Sequence, residues 1–352
     1  MVGEPELTPV RAAHRFDERA LAAFLDQRLG GSLPVRVSQF EGGQSNPTFL
    51  VERGASRLVL RKKPPGRLLP SAHQVDREYR VMSALGKSGV PVPETIALCE
   101  DDAVLGTAFF VMRHVPGRVI ADPRLPGFTP EERRALYDDV ARVLAALHTV
   151  DPAAVGLADF GKPGNYYARQ ISRWSRQYVE SKTEEIASME ALIEWLPANV
   201  PDSAETSVVH GDYRIGNCIL HPSSPKIAAV LDWELSTLGH PLADLAYFCQ
   251  SYRGEATPGS SLVGVDLAAI GIPDEARFVA RYCELAGRAG IDHWAFYMVF
   301  VMFRSAAIVQ GVYKRGLDGN ASSEHAHLFG ALVRQRADDA WQLARESGGS
   351  TR

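Results

Sequence analysis

The stretch Val208–Glu234, VVHGDYRIGNCILHPSSPKIAAVLDWE, restricts the chain more than any other. Val208-Val209 is β-branched and reads as a strand leading into a short polar loop, His210-Gly211-Asp212, with Asn217 just beyond. Cys218-Ile219-Leu220 reads as a strand. His221 to Pro225 reads as a turn, because its prolines and serines favour turn geometry and cannot sit in a central strand. Lys226 to Leu231 returns as a second strand that ends at Asp232. Two strands joined by a turn form an antiparallel hairpin, in which the start of the first lies beside the end of the second. The pairing predicts that Asn217 and Asp232 meet at the hairpin mouth, with Asp212 on the loop before them. Two carboxylates and an amide oxygen make an oxygen-only site. That chemistry suits Mg²⁺, which takes a few such ligands together with waters and substrate phosphates.

The spacing His-x-Asp-x-x-x-x-Asn, followed one hairpin later by a metal-binding Asp, is the catalytic pattern of kinase-fold phosphotransferases. The segment resembles the aminoglycoside phosphotransferase and choline kinase branch of that fold, which carries HGD where protein kinases carry HRD. Asp232-Trp233-Glu234 stands where protein kinases have DFG, and Gly239 to Ala246 (GHPLADLA) fits the same branch. The matches run from about Phe40 to Tyr247 and more loosely to Asn320, most of the chain. The resemblance implies an α+β, bilobal protein-kinase-like fold, with a small antiparallel β-sheet N-lobe over 1–115 and a larger, mainly helical C-lobe over 116–352. It implies that Asp212 accepts the proton of an acceptor hydroxyl. Asn217 and Asp232 would hold Mg²⁺ on the phosphates of ATP, with GTP the alternative nucleotide. His210 and Asp244 would support the catalytic loop.

Upstream, Val35 to Phe40 and Thr48 to Glu52 are predicted strands joined by the turn Glu41 to Asn46. In a kinase fold this hairpin covers the nucleotide phosphates, so Gly43, Ser45 and Asn46 are candidate phosphate contacts. The next strand is Arg57 to Lys62. Aligning the kinase Val-Ala-Ile-Lys with Leu58-Val59-Leu60-Arg61 gives Arg61 the phosphate-gripping role, and strand alternation turns Lys62 to the opposite face. Val75 to Leu85 is helical, with Val75, Tyr79, Met82 and Leu85 as its stripe. Glu78 lies beside Met82 and Leu85 and is the candidate partner of Arg61. Ala103 to Met112 reads as one buried strand. It runs into Arg113 to Gly117, where the resemblance puts the lobe hinge and adenine contacts by backbone groups near Arg113 and Val115.

Other helices follow from caps and periodicity. Asp17 caps one with Leu21, Phe24, Leu25 and Leu29 as its apolar face, ended by Gly30. Thr129-Pro130-Glu131-Glu132 is a capping box with Pro at the first helical position. Tyr166–Ser181, Met189–Leu196, a helix begun by Pro273 and Trp294–Tyr313 complete the set, with Leu238 to Pro241 read as a turn.

Composition bounds the alternatives. Net charge is −4, so no general nucleic-acid footprint is present. The four cysteines are widely separated and form no zinc or disulfide pattern, which points to a reducing, cytoplasmic compartment. No signal peptide is read at the N-terminus. The apolar run Trp294 to Phe303 is too short to span a bilayer, so no membrane partner is expected. The partner expected is a small-molecule acceptor; the oligomeric state is left open. No activation segment ending in APE follows Asp232, which argues against a protein substrate. A non-catalytic nucleotide-binding module would have lost Asp212, Asn217 or Asp232, and a metallohydrolase would need more close ligands than His210 and Asp212.

Two acceptors compete. An aminoglycoside is polycationic and asks for an acidic pocket. The C-terminal region instead shows Arg304, Lys314 and Arg315, and Phe303–Ser323 and Arg61–Val81 look like the subgroup found fused to, or encoded near, acyl-CoA dehydrogenases. A hydroxyacyl-CoA-type acceptor is therefore expected, with Arg214, Glu234, Arg304 and Lys314 as candidate contacts.

Overall fold

The computed structural model describes residues 6–41, 46–65, 73–254, 259–319 and 326–348. Two compact units divide the chain. The first comprises 1–158, 210–236 and 270–272; the second comprises 159–209, 237–269 and 273–352.

The first unit is built on a six-stranded antiparallel sheet: β1 (Leu7–Thr8), β2 (Val35–Phe40), β3 (Thr48–Arg53), β4 (Ser56–Lys62), β5 (Thr95–Cys99) and β6 (Phe109–Arg113), in the order β1-β2-β3-β4-β6-β5. Alternation along β4 sorts its side chains. Leu58 and Leu60 are fully buried in a core with Phe49 and Val51 of β3 and with Leu21 and Leu25 of α1 (Glu18–Leu29). Asp17 caps α1 by accepting from the Arg19 and Ala20 amides, and Gly30 ends it at φ 75°. Leu29, expected on the apolar face, is 37% exposed, because the helix stops there. α2 (Val75–Leu85) buries Val75, Glu78, Val81, Met82 and Leu85. Tyr79 is only half-buried and meets the Phe110 ring at 6.2 Å.

The single strand expected from Ala103 to Met112 is corrected. Asp101 accepts from the Ala103 amide and starts a one-turn helix, α3 (Asp102–Leu105), which Gly106 ends in the left-handed region at φ 84°. The strand proper begins at Phe109. Its other neighbour, β5, went unread because Thr95–Cys99 is a short edge strand behind a proline-rich connector.

α4 (Pro130–His148) begins with the full capping box of Thr129 and Glu132. It carries the hairpin Cys218–Leu220/Ile227–Val230, whose register pairs Val230 with Cys218 and Ile227 with Leu220. Asp139 of α4 accepts from the Ile227 amide at 2.7 Å, and the Tyr213 hydroxyl donates to the Val140 carbonyl at 3.0 Å.

The second unit is mainly helical: Tyr166–Ser181, Ala187–Ala198, Leu242–Cys249, Glu275–Leu285, Trp294–Leu317 and Gly330–Gly348. Thr237–Gly239 pairs with Ser207–Val209 as a two-stranded ladder, where a simple turn was expected around Leu238. Trp294–Leu317 is long and apolar enough to cross a membrane by length and composition, yet most of that apolar stretch is buried inside the unit. It packs on Tyr166–Ser181 and Gly330–Gly348, with the Tyr167 ring set against Phe296 and Phe300.

Candidate active site

The loop and the hairpin mouth are tied together through backbone and histidine. His210 is fully buried. Its Nε2 bonds the Leu231 carbonyl at 2.8 Å, and its Nδ1 accepts from the Asp212 amide at 3.2 Å. That pair of bonds assigns a neutral imidazole with the proton on Nε2. The ring therefore joins the His210–Asp212 loop to the residue before Asp232. Gly211 makes the bend at φ 83°, where a Cβ would lie 2.7 Å from the Leu235 carbonyl oxygen, so only glycine fits. The Leu231 amide donates to the Asn217 carbonyl at 2.8 Å, which sets Asn217 beside the chain entering Asp232. Asp232 itself is left-handed at φ 66°. A non-glycine residue held there costs about 1–3 kcal/mol, and such strain concentrates at functional positions.

Asn217 commits its Nδ2 to the Asp212 carbonyl and the Asp212 Oδ2, both at 2.8 Å. Its Oδ1 is thereby turned away from Asp212. Arg214 Nε lies 3.3 Å from the same Asp212 oxygen. Arg214 thus sits against the candidate base, while Asn217 orients it.

Arg61 stands opposite. Its Nε is 3.0 Å from Glu78, and its Nη2 is 2.7 Å from Asp232 and 3.6 Å from Glu234. Burial would lower the Arg61 pKa, but the carboxylates around it raise it. Glu78 is 1% exposed, and burial pushes its carboxyl up to about 7; Arg61 opposes that rise, while Asp232 and Glu234 add to it. Asn46 Nδ2 donates to Glu78 at 2.9 Å, and Asn46 Oδ1 meets His73 Nδ1 at 3.0 Å. His73 was not singled out from sequence; its position at the start of α2 is the only signal it carried. Gly43 and Ser45 lie outside the described residues.

One guanidinium faces three carboxylates here. The excess negative charge and the oxygen donors of Asp232, Glu234 and Asn217 are the chemistry a hard divalent cation satisfies, so these residues fit Mg²⁺. Beside them lies a cavity of about 220 Å³ lined by Arg61, Glu78, Asp232, Val59, Met112 and Ile219, with Arg113 and Val115 at its edge. The Arg113 amide is already given to the Glu94 carbonyl at 2.8 Å.

The candidate acceptor residues of the second unit are arranged differently. Arg304 is buried, with its guanidinium over the rings of Trp174 (5.6 Å) and Tyr247 (5.4 Å). Arg304, the candidate acceptor contact, thus has its charge covered by two rings. Lys314 Nζ closes on Asp318 at 2.6 Å. Asp244 is 1% exposed within Leu242–Cys249.

The fold and this carboxylate–amide–arginine constellation define a kinase-like phosphotransferase. A family model described as the phosphotransferase enzyme family matches residues 36–297, and the chain belongs to that family. Similar proteins include acyl-CoA dehydrogenase family member 10 of Mus musculus, 45% identical across 99% of this chain and 33% of the relative. Acyl-CoA dehydrogenase family member 11 of Homo sapiens is 41% identical across 98% of this chain and 45% of the relative. The chain thus spans less than half the length of these curated relatives. Among solved structures, one from Ralstonia eutropha, provisionally named an aminoglycoside phosphotransferase, is 47% identical with a TM-score of 0.87 over 94% of this chain and 99% of that one. A thermostable aminoglycoside phosphotransferase mutant in ternary complex with ADP and hygromycin B shares the fold at 20% identity and a TM-score of 0.60, over 92% of this chain and 98% of that one.

Proposed function

We propose that this chain transfers the γ-phosphoryl group of Mg·ATP to the hydroxyl of a hydroxyacyl-CoA-type acceptor. The observation that carries the phosphotransfer half is the closed set Asp212–Asn217 and Arg61–Glu78–Asp232, in which each side chain that such a reaction needs is oriented by another. Asp212 Oδ2 is occupied by Asn217 and Arg214, which leaves Oδ1 to take the acceptor proton. Arg61, released from part of its carboxylate shell, grips phosphate oxygens, and Glu78 keeps it in place. Asn217, Asp232 and Glu234 would hold Mg²⁺, which neutralises phosphate charge when bound. Backbone groups near Arg113 and Val115 would meet the adenine edge, and Val59, Met112 and Ile219, which line the same cavity, would take its faces.

The acceptor half is supported by the relatives. Proteins named acyl-CoA dehydrogenases carry a segment 41–45% identical to nearly all of this chain, and that segment covers a third to under half of them. A phosphotransferase joined to a dehydrogenase of acyl-CoA points to an acceptor of the same chemical class. Arg304 adds little directed charge to such a site, and the charge of Lys314 is shared with Asp318. The competing acceptor is an aminoglycoside, favoured by 27% identity to an aminoglycoside 3'-phosphotransferase of Streptomyces ribosidificus over 50% of this chain and 65% of that protein. Measuring ADP release across a panel of hydroxyacyl-CoAs and kanamycin-type compounds separates the two. Turnover of the thioesters alone is expected; turnover of the aminoglycosides alone would replace this reading.

A further inference from the structure

Lys62 plays no part in the site above. It follows Arg61 on β4 and points to the other face of the sheet, where it shares a side with Leu58 and Leu60. It is 7% exposed. Its Nζ donates to the Thr107 hydroxyl at 2.6 Å, and that hydroxyl donates onward to the Lys63 carbonyl at 2.9 Å. A neutral hydroxyl is a poor counterpart for a buried ammonium, which has three donors to satisfy. Among the described residues no carboxylate lies within ion-pair distance of Lys62. The nearest relevant acid, Asp102, acts on it only as a longer-range charge, and burial lowers the Lys62 pKa.

The Lys62 side chain borders a cavity of about 160 Å³, an order of magnitude more than the ~15 Å³ that admits one water. His14, Arg15 and Lys63 also line it, with Thr107 and the edge of Phe49, and no acidic residue does. The Lys63 ammonium is 3.9 Å from Asp76, a partly exposed pair too long for a hydrogen bond, so none of its three donors is taken by that carboxylate. His14 is fixed from behind, its Nδ1 2.9 Å from the Gln39 side-chain nitrogen. Four basic groups, from the approach to α1, from β4 and from the residue just after it, thus converge on one hollow, and one of them is buried.

We propose that this hollow is a second, non-catalytic anion site that binds a small phosphate- or carboxylate-bearing ligand through Lys62, with Lys63, Arg15 and His14 around it. The ligand completes the hydrogen bonding of the buried ammonium, and the site lies on the face of β4 opposite Arg61. It stands independently of the acceptor assigned above.

The test uses the full chain with its nucleotide site saturated by Mg²⁺ and a non-hydrolysable ATP analogue, so that added phosphate cannot report on Arg61. Inorganic phosphate and acetate are titrated separately by calorimetry and by thermal melting, with chloride at matched ionic strength as control. A saturable signal with a rise in Tm is expected. Phosphate binding more tightly than acetate assigns the phosphate source, and the reverse assigns the carboxylate source. Lys62→Met should weaken binding at least tenfold while its Tm without anion stays level or rises, since a buried cation is removed. Arg15→Ala, at an exposed position, should weaken binding about two- to fivefold and leave the fold intact. Lys62→Arg should retain binding better than Lys62→Met. Absence of saturable binding by either anion, or binding unchanged in both Lys62→Met and Arg15→Ala, overturns the site.

Discussion

Arg61 and Lys62 are neighbours on one strand, both cationic and both largely buried, yet their surroundings are opposite. Arg61 is crowded by Glu78, Asp232 and Glu234. Lys62 has a single hydroxyl and a basic cavity. Strand alternation alone sends them to different faces, and each face decides what the charge can do. On one side a lone guanidinium organises a carboxylate cluster that fits a metal and phosphates. On the other an ammonium lacks an anion. Chemical type therefore says less about role than the charge balance of the face a residue enters.

The largest effect expected lies on the crowded face. Asp212→Asn should keep the fold and nucleotide affinity and lower turnover by about 10²-fold or more, the scale of general-base help. Near-native turnover would remove Asp212 from that role. Asp232→Ala should abolish Mg²⁺-dependent nucleotide binding, read by calorimetry with and without Mg²⁺; an unchanged affinity would place the metal elsewhere. The neighbours themselves are compared next. Arg61→Met should weaken ATP by tenfold or more, since charge-assisted hydrogen bonds contribute about 1.5–3 kcal/mol each. It should also lower Tm, because Glu78 is left buried without its cation. Lys62→Met should leave ATP affinity within about twofold. Equal losses in the two variants would erase the distinction between the faces.

A smaller effect is visible in pH. Glu78 rises from 4.5 to about 7 in the folded chain, so the native state keeps a proton there that the unfolded chain has released. Its contribution is full below pH 4.5 and is lost as pH rises through about 7. Surface carboxylates act in the opposite sense, so the test is a difference. The Tm of the wild type minus that of Glu78→Gln should fall across this window, and a flat difference would show that Glu78 titrates normally.

Much of the crowded face was legible in the sequence. The hairpin pattern put Asn217 next to Asp232, and helical spacing turned Glu78 inward toward Arg61. Those inferences rest on local periodicity, which a sequence displays directly. What stayed hidden depends on contacts between distant segments. Alternation gave the direction of Lys62 but not its burial, since that comes from residues around His14 and Thr107, far away in the chain. Asp139 was unread as support for the hairpin because its partner, the Ile227 amide, leaves no side-chain trace. The one-turn helix Asp102–Leu105 hid inside a run of strand formers, where a single Asp cap and Gly106 outweighed propensity. Arg304 read as a basic contact because an arginine in an apolar helix says nothing about which rings will cover it.

Transfer itself is the central claim, and label tracking tests it most directly. The protein is mixed with Mg²⁺, a hydroxyacyl-CoA and ATP carrying ³²P in the γ position. The account predicts that the label appears on the CoA thioester in a one-to-one ratio with ADP, and that Asp212→Asn suppresses this. Label found only in inorganic phosphate, or left in ATP while ADP fails to form, would contradict it.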